Sequence, residues 1–272
     1  KYYMRNFFLT IILLFTTLAN ANTNVLLYNV TDNAVVQGSF DSSRVSIASI
    51  SKLMTVHTIL KANQNLNETL VVQSKLSNHT RLSRGMKLTR RDLIKLSLVY
   101  SDNLAAVTLS ENYPGGKDAF VRQMNENAKE LGMNDTYFNE PTGLDYTNTS
   151  TLNDIFILTT MASNYSIVRE AAGTEKLLVT ANKGKKTVKI RVNPTNQFFG
   201  KNGFITIKTG FTNAAGFCIT MLVYSNEKLY NLVVLGARSS NERKKIIENS
   251  LSSINVIAKA DKYIKTTKHH RS

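Results

Sequence analysis

A change of period along the chain is the strongest constraint on what it can fold into. Strand-like segments stand at both ends. Asn24 to Val30 and Ala34 to Gly38 come first, and Phe204 to Lys208, Phe217 to Tyr224 and Leu229 to Leu235 come last. Thr31-Asp32-Asn33 and Ser225-Asn226-Glu227 supply hairpin turns, and Thr187 to Val192 reads as one more strand. Between them the apolar positions recur at helical spacing: Leu53, Val56, Ile59 and Leu60 within Ser49 to Ala62; Leu93, Leu96 and Tyr100 after the capping signal Thr89-Arg90-Arg91-Asp92; and Phe120, Val121, Met124, Ala128 and Leu131 before Gly132. A helix also spans Leu104 to Asn112 and stops at Pro114-Gly115-Gly116, and Ser239 to Ile257 closes the chain with Ile246, Ile247, Leu251 and Ile254 on one stripe. A sheet must cover its apolar face. The expectation is therefore an α+β fold, with an antiparallel sheet built from both chain ends and a mainly helical insert over about 64–170.

Composition narrows the function. The 272 residues, 42% hydrophobic and 19% charged, suffice for one substantial core. Cys218 is the one cysteine, so a disulfide framework and a cysteine-based zinc site are excluded. His269 and His270 sit in a polar tail, and His57 and His79 lack ligand spacing, so neither metal nor cofactor is expected. A net charge of +15 favours an anionic partner. Without a recognition signature for nucleic acid, that partner is expected to be a membrane surface or an acidic polymer.

Lys1 and Arg5 precede an apolar run from Phe7 to Leu18, and Ala19-Asn20-Ala21 has the form of a cleavage site. Residues 1–21 read as a secretory signal peptide, with an uncleaved anchor as the alternative. The run is shorter than the ~20 apolar residues of a membrane span, so no stable membrane anchor is expected after cleavage. One domain over 22–258 and a basic tail over 259–272 would then lie outside the cytoplasm.

Ser49-Ile50-Ser51-Lys52 places a hydroxyl and an amine at i and i+3, on one face at the start of a helix. The pattern alone is cheap, since Ser225-Asn226-Glu227-Lys228 repeats it in a hairpin turn. Specificity comes from order. Ser101-Asp102-Asn103 follows at a helix junction and Lys208-Thr209-Gly210 at a strand end, whereas Ser253-Ile254-Asn255 lies inside the last helix and is read as structural.

This ordered triple is similar to the signature set of penicillin-binding proteins and class A β-lactamases. Ile47 to Thr55 further resembles the nucleophile segment of serine D-alanyl-D-alanine peptidases, the low-molecular-weight penicillin-binding proteins. Tyr113-Pro114-Gly115-Gly116, Glu140-Pro141-Thr142-Gly143-Leu144 and Lys208 to Gly216 resemble the small periplasmic D-alanyl-D-alanine endopeptidases, and the likeness extends over about Asn24 to Ser250. Ser46 departs from a frequent proline, a change expected to loosen the approach to the helix. The chain also ends without the carboxypeptidases' second β-domain and amphipathic anchor, which favours the endopeptidase branch.

The resemblance implies a β-lactamase/transpeptidase-like fold and a serine acyl-transfer reaction on peptidoglycan stem peptides and cross-links, with β-lactams as covalent inhibitors. Ser49 is expected as nucleophile and Lys52 as its base. Bringing a lysine from about 10.4 to 7 takes about 4.6 kcal/mol, expected from burial and from the cation of Lys208. Ser101 would relay a proton to the leaving amine, Asn103 would position Lys52 and the substrate amide, and Lys208 and Thr209 would meet a carboxylate. Gly210 would let the substrate backbone approach an edge strand. The resemblance adds the N–H groups of Ser49 and Phe211 as an oxyanion hole.

Cleavage of cross-links is the first reading and carboxypeptidase trimming the second. A β-lactamase is remoter because Glu140 lacks the expected Asn four positions on and reads as structural. A catalytically silent wall-binding protein is remoter too. His57 reads as a packed helix residue, Cys218 as a core thiol, and Arg81, Arg84, Lys87, Arg90 and Arg91 as a solvated face.

Overall fold

A computed structural model describes residues 23–195, 198 and 203–256; the leader over 1–21 and the tail over 259–272 lie outside the described residues. Strands β1 (Asn24–Asn29) and β2 (Ala34–Gly38) form a hairpin, and β3 (Val45–Ser46) leads into a 3-10 turn, Ala48–Ser51, and helix α1 (Lys52–Lys61). Strands β4 (Thr69–Val71) and β5 (Met86–Thr89) precede α2 (Arg90–Lys95), a π turn at Leu96–Tyr100, α3 (Asn103–Glu111) and α4 (Gly116–Glu130). Then come β6 (Thr149–Ser150), α5 (Leu152–Ala162), α6 (Ser166–Ala172), β7 (Leu177–Lys183), β8 (Lys186–Val192), β9 (Phe204–Thr212), β10 (Gly216–Ser225), β11 (Lys228–Ala237) and α7 (Ser240–Ser253).

The two chain ends do meet. Strand β1 pairs antiparallel with β11 from Asn24↔Leu235 to Asn29↔Tyr230, giving a five-stranded sheet ordered β2-β1-β11-β10-β9. Adjacent residues of β1 serve opposite faces, as the two-residue period requires. Leu26 joins the core formed with Ile155 and Leu158 of α5, whereas Leu27 joins Ile247 and Leu251 of α7. Truncating such a buried leucine to alanine costs about 2–5 kcal/mol. Four helices start on side-chain caps: Thr89, Asp102, Thr151 and Ser239 accept from the backbone N–H groups of Asp92, Ala105, Asp154 and Glu242. Each cap is worth about 1 kcal/mol.

The insert departs from the expectation in one respect. A second, four-stranded sheet ordered β4-β5-β7-β8 stands beside the helices, so Thr187 to Val192 belongs there and not to the terminal sheet. Its partner β7 alternates buried and exposed residues from Leu177 to Ala181.

Ser46 is tied down at the approach to α1. It lies on β3, paired with Thr149 of β6, and its hydroxyl donates to the Tyr146 carbonyl at 2.7 Å. Among the described residues no helix is long and apolar enough to cross a membrane.

Candidate active site

Ser49 sits in a 3-10 turn that two glycines hold from outside. Ala48 is left-handed at φ 47°, turning the chain so that the serine enters the groove. Gly143, at φ +80°, packs so closely that a Cβ there would come within 1.8 Å of the Ala48 carbonyl oxygen. Gly210 on the edge strand β9 presses from the other side, where a Cβ would meet Ala48 Cβ and Ser49 N at 2.9 Å. The missing side chain of Gly210 thus makes room for the serine's own turn, while its backbone lines the groove.

Gly143→Ala is expected to destabilise the chain by about 3 kcal/mol, combining a left-handed alanine with a backbone clash. Gly132→Ala, at φ +78° with nothing within 4 Å, carries only the first penalty of about 1 kcal/mol. Urea denaturation of the two variants measures the difference; equal shifts would exclude the clash.

Lys52, on the first turn of α1, is wholly buried. Its Nζ lies 2.7 Å from Ser49 Oγ, 2.8 Å from Asn103 Oδ1 and 2.8 Å from the Thr142 carbonyl oxygen. Burial lowers its pKa to about 7, against the pull of Glu140 and Asp102 toward the charged form. Glu140 is structural. Its carboxylate accepts from Thr142 N at 2.7 Å, Thr142 Oγ1 at 2.6 Å and the Gly143 N–H, and so fixes the loop whose Thr142 carbonyl faces Lys52.

Ser101 closes the π turn in the left-handed region, at φ 62° and ψ 32°. Asp102 caps α3 and accepts from Thr80 Oγ1 at 2.8 Å and Arg81 N at 2.7 Å, tying the junction to the 78–81 segment. Asn103 Nδ2 donates to the Asn78 carbonyl at 3.0 Å, which orients the amide with its oxygen toward Lys52.

From β9, buried Lys208 reaches Ser101 Oγ at 2.9 Å and its neighbour's carbonyl, that of Thr209, at 2.7 Å. Its pKa is held well below the usual lysine value by burial first, then by the cations of Lys52 and Arg243. The expected division is thus altered: burial sets Lys52, and the repulsion is felt at Lys208. Thr209 Oγ1 lies 2.7 Å from Thr195 Oγ1, and Phe211, half-exposed, stacks on Phe217 at 4.2 Å.

A groove of about 890 Å³ collects these groups. Ser49, Ser101, Asn103, Thr209, Gly210 and Phe211 line it, with the Lys52 and Lys208 amine nitrogens behind the two serines. All eight residues singled out from the sequence therefore converge.

Three cations in the wall went unassigned: Arg81, Arg191 and Arg243. Arg81, exposed as expected, stacks 5.4 Å over Tyr100, and Arg243 lies 5.7 Å over Phe217. The charge of these three suits an anionic substrate. Of the basic run read as a solvated face it is Arg90 that departs, buried and paired with Glu68 at 2.7 Å. His79 stacks on Tyr100 at 4.5 Å and bonds the Tyr100 carbonyl at 2.7 Å.

His57 lies apart, 2.9 Å from the Tyr165 hydroxyl, its pKa lowered to about 4 by burial. Burial raises the Cys218 thiol to about 11, which leaves it unreactive.

Residues 16–239 match the family model described as D-alanyl-D-alanine carboxypeptidase. The D-alanyl-D-alanine endopeptidase of Escherichia coli K12 is 35% identical over 223 residues, 80% of this chain and 72% of that protein. The D-alanyl-D-alanine endopeptidase of Pseudomonas aeruginosa is 38% identical over 199 residues, 71% of this chain and 64% of that one. The crystal structure of the Streptomyces K15 DD-transpeptidase superposes with a TM-score of 0.76 at 22% identity, covering 84% of this chain and 96% of that one. Penicillin-binding protein D2 of Listeria monocytogenes, in its ampicillin-bound form, superposes at 0.71 with 27% identity, covering 85% and 95%. The fold is that of the penicillin-binding DD-peptidases, and the chain belongs to the D-alanyl-D-alanine carboxypeptidase family.

Proposed function

We propose that this chain is an exported DD-peptidase that opens peptidoglycan cross-links through an acyl-enzyme on Ser49. The observation that carries the reading is a fully buried amine with a pKa of about 7, 2.7 Å from the Ser49 hydroxyl. Neutral Lys52 takes the hydroxyl proton as Ser49 Oγ attacks the carbonyl carbon of a D-alanyl peptide bond. The tetrahedral oxyanion is met by the N–H groups of Ser49 and Phe211. The C–N bond breaks as the amine takes a proton through Ser101, beside Lys208, leaving a D-alanyl ester on Ser49. Water then attacks the ester carbon, returning the hydroxyl to Ser49 and releasing the acid. Thr209 and Arg243 face the groove where a substrate carboxylate would lie.

Export rests on the leader over 1–21, and the catalytic domain is taken as 22–258 with a basic tail beyond it. β-Lactams would acylate the same serine.

An endopeptidase must hold a peptide beyond the scissile bond, and contacts with that remote part raise turnover by positioning the carbonyl. Cross-linked muropeptide dimers are expected to be split with a higher kcat/KM than D-alanine is released from a monomeric pentapeptide, as followed by mass analysis of products near neutral pH. Free D-alanine as the main product, with dimers persisting, would assign the chain to carboxypeptidase trimming.

A further inference from the structure

Strands β7 and β8 form a hairpin with unusual charge. From Lys176 to Arg191 it contains Lys176, Lys183, Lys185, Lys186, Lys189 and Arg191 and no aspartate or glutamate. None of the six pairs with a carboxylate among the described residues. Lys183 and Lys186 stand directly opposite each other across the ladder, and Lys185 occupies the turn between them. Like charges in that position are destabilising without an anion between or above them.

The remaining cations mark a direction. Lys189 and Arg191 alternate outward along β8, the edge strand of the small sheet, with buried Ile190 and Val192 pointing inward. Lys87 of β5 is exposed two strands away, and its register partner is Asn182 of β7. The row ends at Arg191, which lines the reactive groove. Exposed cations thus stand at the tip, where Lys183 and Lys186 share the face of Val179 and Ile190, and along the opposite face of the edge strand, where Lys189 leads to Arg191 at the groove.

We propose that the exposed cationic tip and edge strand of this hairpin form a docking surface for polymeric peptidoglycan, engaged through the free carboxylates of stem peptides neighbouring the one being cut. The inference rests on the substrate class proposed above and adds a second area of contact outside the reacting groove. Its chemistry matches ammonium groups that have no carboxylate partner among the described residues, Lys183 donating to Ser83 Oγ at 2.9 Å, with the carboxylates repeated along such a polymer. Exposed pairs are individually weak and screened by salt, so the effect requires several at once, which a repeating polyanion supplies.

The test uses the full chain and a variant carrying Lys183→Gln, Lys185→Gln, Lys186→Gln and Lys189→Gln. All four positions are exposed and none lines the groove. Co-sedimentation with purified peptidoglycan sacculi, freed of attached polymers, is measured at low salt. The variant is expected to bind at least ten-fold more weakly. Wild type should lose a similar factor in 0.3 M NaCl, or when the sacculus carboxylates are amidated.

Turnover of intact sacculi should fall with binding, while turnover of a soluble cross-linked dimer and acylation by labelled penicillin stay at wild-type level. Undiminished sedimentation of the variant, or retention of wild type by amidated sacculi, overturns the proposal. So does a variant that loses binding only to anionic lipid vesicles. Loss of dimer cleavage by wild type, with penicillin acylation intact, instead refutes the peptidoglycan reading itself, because the sedimentation result does not depend on turnover.

Discussion

Ser49→Ala is expected to abolish the covalent penicilloyl adduct while leaving the fold intact. Loss should exceed about 10³-fold, the scale on which removal of a nucleophile acts. Two other serines could compete. Ser225 repeats the i, i+3 lysine spacing, but its hydroxyl is buried and donates to the Ile254 carbonyl at 3.1 Å. Ser101 also lines the groove beside an amine, that of Lys208, whereas Ser49 has Lys52, with its pKa of about 7, at 2.7 Å. Removing Ser49 Oγ leaves Lys52 two acceptors, Asn103 Oδ1 and the Thr142 carbonyl, so the thermal midpoint should move by only a few degrees. Mass mapping of the labelled peptide decides the matter: an adduct on Ser101 or Ser225, or undiminished labelling, would sink the assignment.

Lys52→Arg is expected to lower acylation by about 10³-fold or more, because a guanidinium stays protonated and takes no proton from Ser49. Lys208→Arg leaves Lys52 untouched, keeps a hydrogen-bond donor beside Ser101 and should retain measurable acylation. Equal loss in both variants would refute the division of roles.

The same amine sets a pH profile. Acylation requires neutral Lys52, so its rate should climb through pH 7 and level off above it, following the pKa of about 7. Stability should move in the same direction for a different reason. Between about 7 and the ordinary lysine value of 10.5 the unfolded chain holds a proton that the folded chain has lost, so folding strengthens as pH rises across that window. Below pH 7 the penalty is complete and changes no further. Titrating the penicillin acylation rate from pH 5 to 11 tests the first part, and an inflection near 10 would contradict a buried neutral base.

What could be read in the residues was chemistry that side chains announce. Hydroxyls, amines and an amide in a fixed order identified Ser49, Lys52, Ser101, Asn103 and Lys208, and the groove brings them together. The third acceptor of Lys52 was illegible because it is a backbone carbonyl, that of Thr142, whose position depends on Glu140 folding its own loop around itself. That Gly210 also clears space for the Ser49 turn was illegible because a glycine gives no sign of which neighbours need the space. Arg243 escaped because it belongs to a surface helix, and only the crossing of α7 over β10 turns it to the groove, donating to the Cys218 carbonyl at 3.1 Å. Strand β7 was detectable: Leu177, Val179 and Ala181 are buried and Leu178 and Thr180 exposed, a period of two that the following Lys-Gly-Lys-Lys turn should have paired with β8.

The meeting of β1 with β11 also fixes when this protein can exist during its own synthesis. Leu235 is the partner of Asn24, so the first strand has only β2 beside it until the chain has grown some two hundred residues further. At ribosomal rates of about 5–20 residues per second that interval is roughly ten to forty seconds. Lys208 arrives just before its close, on the edge strand that completes the groove. A nascent chain therefore carries Ser49 from early on but lacks the second amine of the groove until Lys208 has been made and β9 has paired with β10.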